Sequence, residues 1–201
     1  ANTTAVAAVI AAKRHISFVT SAETKCCQAM ILGGTGPVGQ RISRLLAAQG
    51  AHVYLVSRDL ERASTCCRFI QQKTPNTHLE PLSGKMVEEV IGSVDLIISA
   101  GKPGIEMLTA TQLSQATSNT VCIDLNAVPP AGINGIQPAD QARRDGTKHL
   151  YGALRVGEMK MKLHKAAIQQ LFQTNDQWID AEALLLLSER LSFPANKPIN
   201  K

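Results

Sequence analysis

The chain alternates between short apolar runs and longer segments in which apolar residues recur every three or four positions. Gln28 to Leu32, His52 to Val56, Val94 to Ala100, Thr120 to Leu125 and His149 to Val156 have the length and the β-branched content of strands, with a weaker candidate at His78 to Glu80. Between them, Thr3 to Lys13, Val38 to Gln49, Leu60 to Gln72, Lys85 to Ile91, Ile105 to Gln115, Glu158 to Gln173 and Asp180 to Leu191 read as helices. In the second of these, Val38, Ile42, Leu45 and Leu46 share one face at helical spacing, which makes them core positions. Strands alternating with helices predict an α/β fold, a Rossmann-type doubly wound parallel sheet with C-terminal helices. The expected division is a linking helix over residues 1–20, a dinucleotide-binding domain over 21–157 and C-terminal helices over 158–201.

Two connections depart from this rhythm. The strand ending at Ala100 runs at once into Gly101-Lys102-Pro103-Gly104, a turn at the carboxyl end of a strand, where open α/β sheets bind ligands. An ordinary strand-to-helix turn has the same composition. The stretch from Asn126 to about Lys148, opening with Pro129 and Pro130, reads as one long loop, and loops of that length are usually functional or disordered.

The end of the first strand is the most informative stretch of the chain. Ala29 to Leu32 breaks into Gly33-Gly34-Thr35-Gly36-Pro37-Val38-Gly39, in which Gly34, Gly36 and Gly39 have the G-x-G-x-x-G spacing of a dinucleotide-binding turn. The first glycine makes the turn, the second lets backbone amides approach a pyrophosphate, and the third lets helix and strand pack closely. The helix that follows points its positive end at the phosphates. Thr35, Pro37 and Val38 complete this candidate site, with Ala100, Gly101 and Asn126 from the later loops.

The end of the second strand chooses between dinucleotides. An NAD site places Asp or Glu there to accept from the ribose hydroxyls, whereas this chain has Ser57 and Arg58, with Arg62 one helical turn on. A hydroxyl and two guanidinium groups suit a 2′-phosphate, so NADP is the expected cofactor. The alternative leaves both arginines as solvated charges at a helix start. Asp59 lies beside the proposed phosphate, although aspartate is also a common helix cap.

Composition narrows the remaining classes. The 201 residues are 44% hydrophobic, enough for a substantial core, and the net charge of +5 is scattered along the chain. With only one Trp, two Tyr and four Phe there is no stacking platform for single-stranded nucleic acid, so no nucleic-acid partner is expected. The longest apolar runs, such as Ala183 to Leu187, fall well short of the ~20 residues that cross a bilayer, and no membrane partner is expected. Five cysteines without C-x-x-C spacing, and five dispersed histidines, predict no metal and fit reduced thiols in the cytoplasm. Lys160, Lys162, His164 and Lys165 cluster near the expected start of the Glu158 helix, where positive charge is unfavourable, which suggests a ligand or a solvated face.

Several segments together carry a family resemblance: Asn2-Thr3-Thr4-Ala5, the glycine turn, Ser99-Ala100-Gly101 with Gly104-Ile105-Glu106, and Asp124 with Asn126-Ala127 and Pro129-Pro130. Gly132-Ile133 with Gly135-Ile136, Gly152-Ala153-Leu154 and Lys160-Met161-Lys162-Leu163-His164 continue the series in order. The chain resembles the NADP-dependent methylene-tetrahydromethanopterin dehydrogenases over almost its whole length. The resemblance implies a hydride transfer in one-carbon metabolism, from the carbon bridge of a reduced pterin substrate to NADP, with Lys160 nearest the reacting pterin. Members of that family carry an N-terminal lobe ahead of the Asn2 segment that forms much of the pterin cleft. This chain opens at that segment, so a complete substrate site is not expected from it alone. A methylene-tetrahydrofolate or shikimate-type NADP dehydrogenase, or a non-catalytic NADP-binding domain, are the alternatives. An exposed first helix, at residues 1 to 14, would favour association, and a homo-oligomer is expected.

Overall fold

The computed structural model describes residues 1–18, 26–173 and 176–193. The expected boundary at residues 20 and 21, and the last part of the 158–201 segment, lie outside them. Helix α1 spans Asn2–Lys13, followed by β1 (Gln28–Leu32), α2 (Pro37–Ala48), β2 (His52–Ser57), α3 (Leu60–Lys73) and β3 (His78–Ser83). A single helical turn, α4 (Val87–Val90), then precedes β4 (Leu96–Ser99), α5 (Ala110–Ser114), β5 (Val121–Asp124), β6 (Gln141–Asp145) and β7 (Lys148–Tyr151). Helices α6 (Ala153–Leu171) and α7 (Ala181–Glu189) complete the described chain.

The seven strands form one sheet in the order β3-β2-β1-β4-β5-β7-β6. All neighbours pair parallel except the β6–β7 hairpin at the edge. Because side chains alternate across a strand, β1 sends Ala29 and Ile31 into one core and Met30 and Leu32 into the other, and Leu96 and Ile98 of β4 oppose Ile97 in the same way. Burial on both faces is why these strands are nearly continuous apolar runs. The strand order reverses between β1 and β4, so the crevice at their carboxyl ends is where such a sheet binds a ligand.

Three sequence expectations are corrected. The run at His149 strands only to Tyr151, and the last long helix begins at Ala153, five residues before Glu158. Gly152, between the strand and the helix, must be glycine, because a Cβ there would lie 2.0 Å from the Gln137 carbonyl oxygen. The helix expected over Ile105 to Gln115 shrinks to Ala110–Ser114, since the amides of Met107 and Leu108 both donate to the Gly132 carbonyl. The loop expected from Asn126 to Lys148 contains β6, a polar edge strand.

Helix α1 also differs from its expected surroundings. Ala5 to Ala12 are all buried, with α1 packed against α2, α6, α7 and β5. A helix that is apolar around most of its circumference belongs in a core. It is a core helix and not the exposed one expected, so it offers no apolar face for self-association.

Candidate functional site

The turn after β1 is built by two different glycine constraints. Gly33, at φ +69°, holds the left-handed conformation that non-glycine residues avoid, and a Cβ on it would lie 2.6 Å from the Gly101 Cα. Gly34, the first glycine of the expected motif, is buried against Leu55, and its amide donates to the Val56 carbonyl at 3.0 Å. Gly39 closes the turn from the helix side, where a Cβ would meet the Gly33 oxygen and Gly34 Cα, both at 2.7 Å. Gly36 is the exception. A Cβ there would meet only the Gly33 oxygen at 3.4 Å and the Ala100 oxygen at 3.9 Å, so its open side faces the cleft.

Helix α2 starts at Pro37 with no side-chain cap, which leaves the first-turn amides of Val38 and Gly39 directed outwards. Gln40 Nε2 donates to the Thr35 carbonyl at 2.7 Å and fixes the turn to the helix. Uncapped amides beside an open glycine form a cradle for an anion.

Above this turn lies a cleft of about 420 Å³. Its floor is Gly33, Thr35, Gly36 and Pro37, one wall is Ser57, Arg58, Asp59 and Arg62, and the other runs from Ala100 through Lys102 to Ile105 and Met107. Arg58 and Arg62 are exposed and make no ion pair or side-chain hydrogen bond among the described residues. Asp59 caps α3, accepting from the Glu61 amide at 3.0 Å and the Arg62 amide at 3.1 Å. The carboxylate that argued against a phosphate is thereby engaged with backbone amides. Ser57 is buried at the end of β2, and its Oγ accepts from the Asp59 amide at 3.3 Å.

Eight of the expected site residues therefore line one cleft: Thr35, Gly36, Pro37, Ser57, Arg58, Arg62, Ala100 and Gly101. Gly34, Val38 and Gly39 lie in the turn and helix that support it. Asn126 is outside the lining, with its amide spent on its own loop: Nδ2 donates to the Pro130 carbonyl at 2.9 Å and Oδ1 accepts from the Val128 amide at 2.9 Å. That loop is anchored by the buried Asp124, which accepts from the amides of Asn126, Gly132 and Ile133.

Lys160 is exposed and is not among the residues lining the cleft. Since α6 begins at Ala153, Lys160, Lys162, His164 and Lys165 lie beyond its first turn, where positive charge is not disfavoured by the helix start. Lys162 donates to the Ser192 carbonyl, with its ammonium 5.6 Å from the Phe193 ring. Sequence reasoning did not single out Gly33, Lys102, Ile105 or Met107 as site residues, although the adjacent pair Gly33-Gly34 was a visible signal for a left-handed turn.

Burial pushes the thiols of Cys27, Cys67 and Cys122 up to about 12, and all five cysteines are unpaired. Those three are packing residues rather than nucleophiles. Among the described residues, no group of three His, Cys, Asp or Glu side chains is placed to hold a metal ion, and no helix is long and apolar enough to cross a membrane.

Residues 15–141 match the family model described as shikimate / quinate 5-dehydrogenase. Two relatives come from Methylorubrum extorquens. The bifunctional protein MdtA is 33% identical over 95% of this chain, and the NAD(P)-dependent methylenetetrahydromethanopterin dehydrogenase is 30% identical over 87%. The chain spans 66% and 60% of their respective lengths. These relatives agree with the resemblance carried by the sequence motifs.

Among solved structures, the transhydrogenase from Sinorhizobium meliloti superposes with a TM-score of 0.66 at 17% identity, over 92% of this chain and 50% of that one. Quinate dehydrogenase from Corynebacterium glutamicum, in complex with NAD, gives 0.56 at 15% identity, over 95% and 63%. At such identities these two establish the α/β fold alone. The family model spans well over half of the sequence, and the chain belongs to the shikimate / quinate 5-dehydrogenase family.

Proposed function

We propose that this chain is the cofactor-binding part of an NADP-dependent oxidoreductase that takes a hydride from methylene-tetrahydromethanopterin in one-carbon metabolism. The observation that carries the cofactor assignment is the pair of unengaged guanidinium groups, Arg58 and Arg62, facing a cleft floored by the uncapped start of α2. In this reading the α2 amides hold the pyrophosphate, and Ser57, Arg58 and Arg62 hold the 2′-phosphate. The 30% identical relative named as an NAD(P)-dependent methylenetetrahydromethanopterin dehydrogenase supports the pterin as substrate.

When bound, the nicotinamide ring supplies the hydride acceptor. The chain's own part is to align donor and acceptor carbons and to exclude water. The expected boundary at 157 falls inside α6, so the part that would bind NADP ends with β7, and α6 and α7 would pack toward the substrate lobe, with Lys160 nearest the pterin. We place the protein in the cytoplasm, where unpaired thiols stay reduced. A shikimate-type substrate is the second reading, favoured by the family model itself.

Two experiments test these assignments. Replacing Arg58 and Arg62 together with Ala should weaken NADP binding by about tenfold or more while NAD changes by about twofold, because charge-assisted bonds to the 2′-phosphate are lost. Equal loss for both cofactors in titration calorimetry would overturn the 2′-phosphate assignment. In the complete protein, NADP reduction should proceed with methylene-tetrahydromethanopterin and not with shikimate, and Lys160→Ala should lower kcat with little change in NADP affinity. Turnover on shikimate alone would transfer the chain to the second reading.

A further inference from the structure

Lys102 is on the wall of the cleft opposite the two arginines, and nothing among the described residues pairs with its charge. Its side chain is exposed and makes no ion pair or hydrogen bond among the described residues. The chain is tied down two residues before Lys102 and five residues after it. The Ala100 amide donates to the Leu32 carbonyl at 2.9 Å, and the Met107 amide donates to the Gly132 carbonyl at 2.8 Å. Gly101 is covered by the Met107 side chain, whose sulfur would have to shift to admit a Cβ there, at 2.0 Å. The loop that presents Lys102 is thus anchored at both ends, and the Lys102 side chain makes no hydrogen bond or ion pair among the described residues.

We infer that Lys102 is a third anion-binding residue of the cleft, serving the pyrophosphate that all dinucleotide cofactors share. The 2′-phosphate that separates NADP from NAD is left to Arg58 and Arg62. This inference rests on the cofactor assignment above and divides the cleft's cations between its two phosphate positions.

Topology makes the division. Arg58 and Arg62 follow β2, whereas Lys102 follows β4, and the two strands flank β1 on opposite sides. With neighbouring strands about 4.8 Å apart, the ends of β2 and β4 are separated by roughly 10 Å. The glycine turn occupies the space between them. It is in direct backbone contact with the Lys102 side, since a Cβ on Gly33 would lie 2.6 Å from the Gly101 Cα and 2.8 Å from its nitrogen. Lys102 is thus one residue away from the backbone that abuts the pyrophosphate cradle. Its flexible ammonium acts as a point charge, suited to a diphosphate already held by amides.

The test is titration of Lys102→Ala with NADP, NAD, ADP-ribose and 2′-AMP, with thermal unfolding as a check on the fold. The variant should lose the same factor, about three- to tenfold, for NADP, NAD and ADP-ribose, and leave 2′-AMP unchanged, as expected for one partly exposed charge-assisted contact. Lys102→Arg should restore most of the loss. The Arg58→Ala, Arg62→Ala double variant should show the reverse pattern, weakening NADP and 2′-AMP while sparing ADP-ribose. Unchanged affinities, or a Lys102→Ala loss confined to NADP and 2′-AMP, would overturn the inference with the cofactor site intact. Failure of the parent chain to bind any of the four probes would overturn the cofactor assignment and this inference together.

Discussion

Gly36 and Gly39 are three residues apart in one turn and are glycine for different reasons. At Gly39 the chain itself fills the space a side chain would need. At Gly36 the space is empty on the cleft side, and the backbone, at φ −76° and ψ 165°, is one any residue adopts. Substitution should separate the two roles. Gly36→Val should fold with near-parent stability and fail to bind a dinucleotide, because the side chain stands where the pyrophosphate must come. Gly39→Ala should cost about 1–3 kcal/mol of stability through overpacking against Gly33 and Gly34. Urea unfolding and cofactor titration of both variants check this. A Gly36→Val protein that binds like the parent would move the cofactor elsewhere. Spacing alone brought both glycines to attention, but it could not tell a packing glycine from a contact glycine, since that depends on Gly33 and Ala100 in space. The same limit applies to Asn126, whose type suggested a ligand and whose side chain ties down the double-proline loop.

At the scale of elements, legibility follows burial. Strands β1, β2, β4 and β5 were readable because both their faces are covered, and their interiors are accordingly apolar, with polar residues at the strand ends. The edge strand β6, Gln141–Asp145, is half exposed and polar, so periodicity gave no sign of it. A turn signal existed: Asp145 and Lys148 are joined by Gly146-Thr147, with Gly146 at φ +60°, a two-residue hairpin loop. The segment from Ile105 to Leu108 has apolar residues at helical spacing, yet its backbone bonds to Gly132 and its side chains wall the cleft. Tertiary contact overrode local pattern there. The start of α6 was misplaced because two glycines, Gly152 and Gly157, were equally good boundary signals in sequence. In space the two differ: a Cβ on Gly152 would collide with the Gln137 and Pro138 carbonyls just before the helix, whereas a Cβ on Gly157, inside it, meets nothing.

Across the whole molecule, the first helix is joined to the last parallel strand through a cluster of rings. His15, just past α1, pairs through Nε2 with the hydroxyl of buried Tyr151 at 2.7 Å, and its ring stacks on His149 at 3.9 Å between centroids. Burial, then His149, then Arg14 and Arg144, lower the pKa of His15 to about 4. Burial and Arg144 lower that of His149 as well. Both imidazoles are therefore held neutral in the fold at pH values where a free histidine, at 6.5, takes a proton. The unfolded chain binds protons that the native chain refuses, so stability falls as the pH drops from about 6.5 toward about 4 and is unaffected by this pair above that window. Carboxylates begin to titrate near the lower end, so the parent's profile alone does not isolate the cluster. His15→Gln keeps a group able to bond Tyr151 and removes the titration. Its midpoint of urea unfolding should decline less between pH 6.5 and 4.5 than the parent's, and a variant profile parallel to the parent's would show that His15 is not what makes the union of α1 with the sheet acid-sensitive.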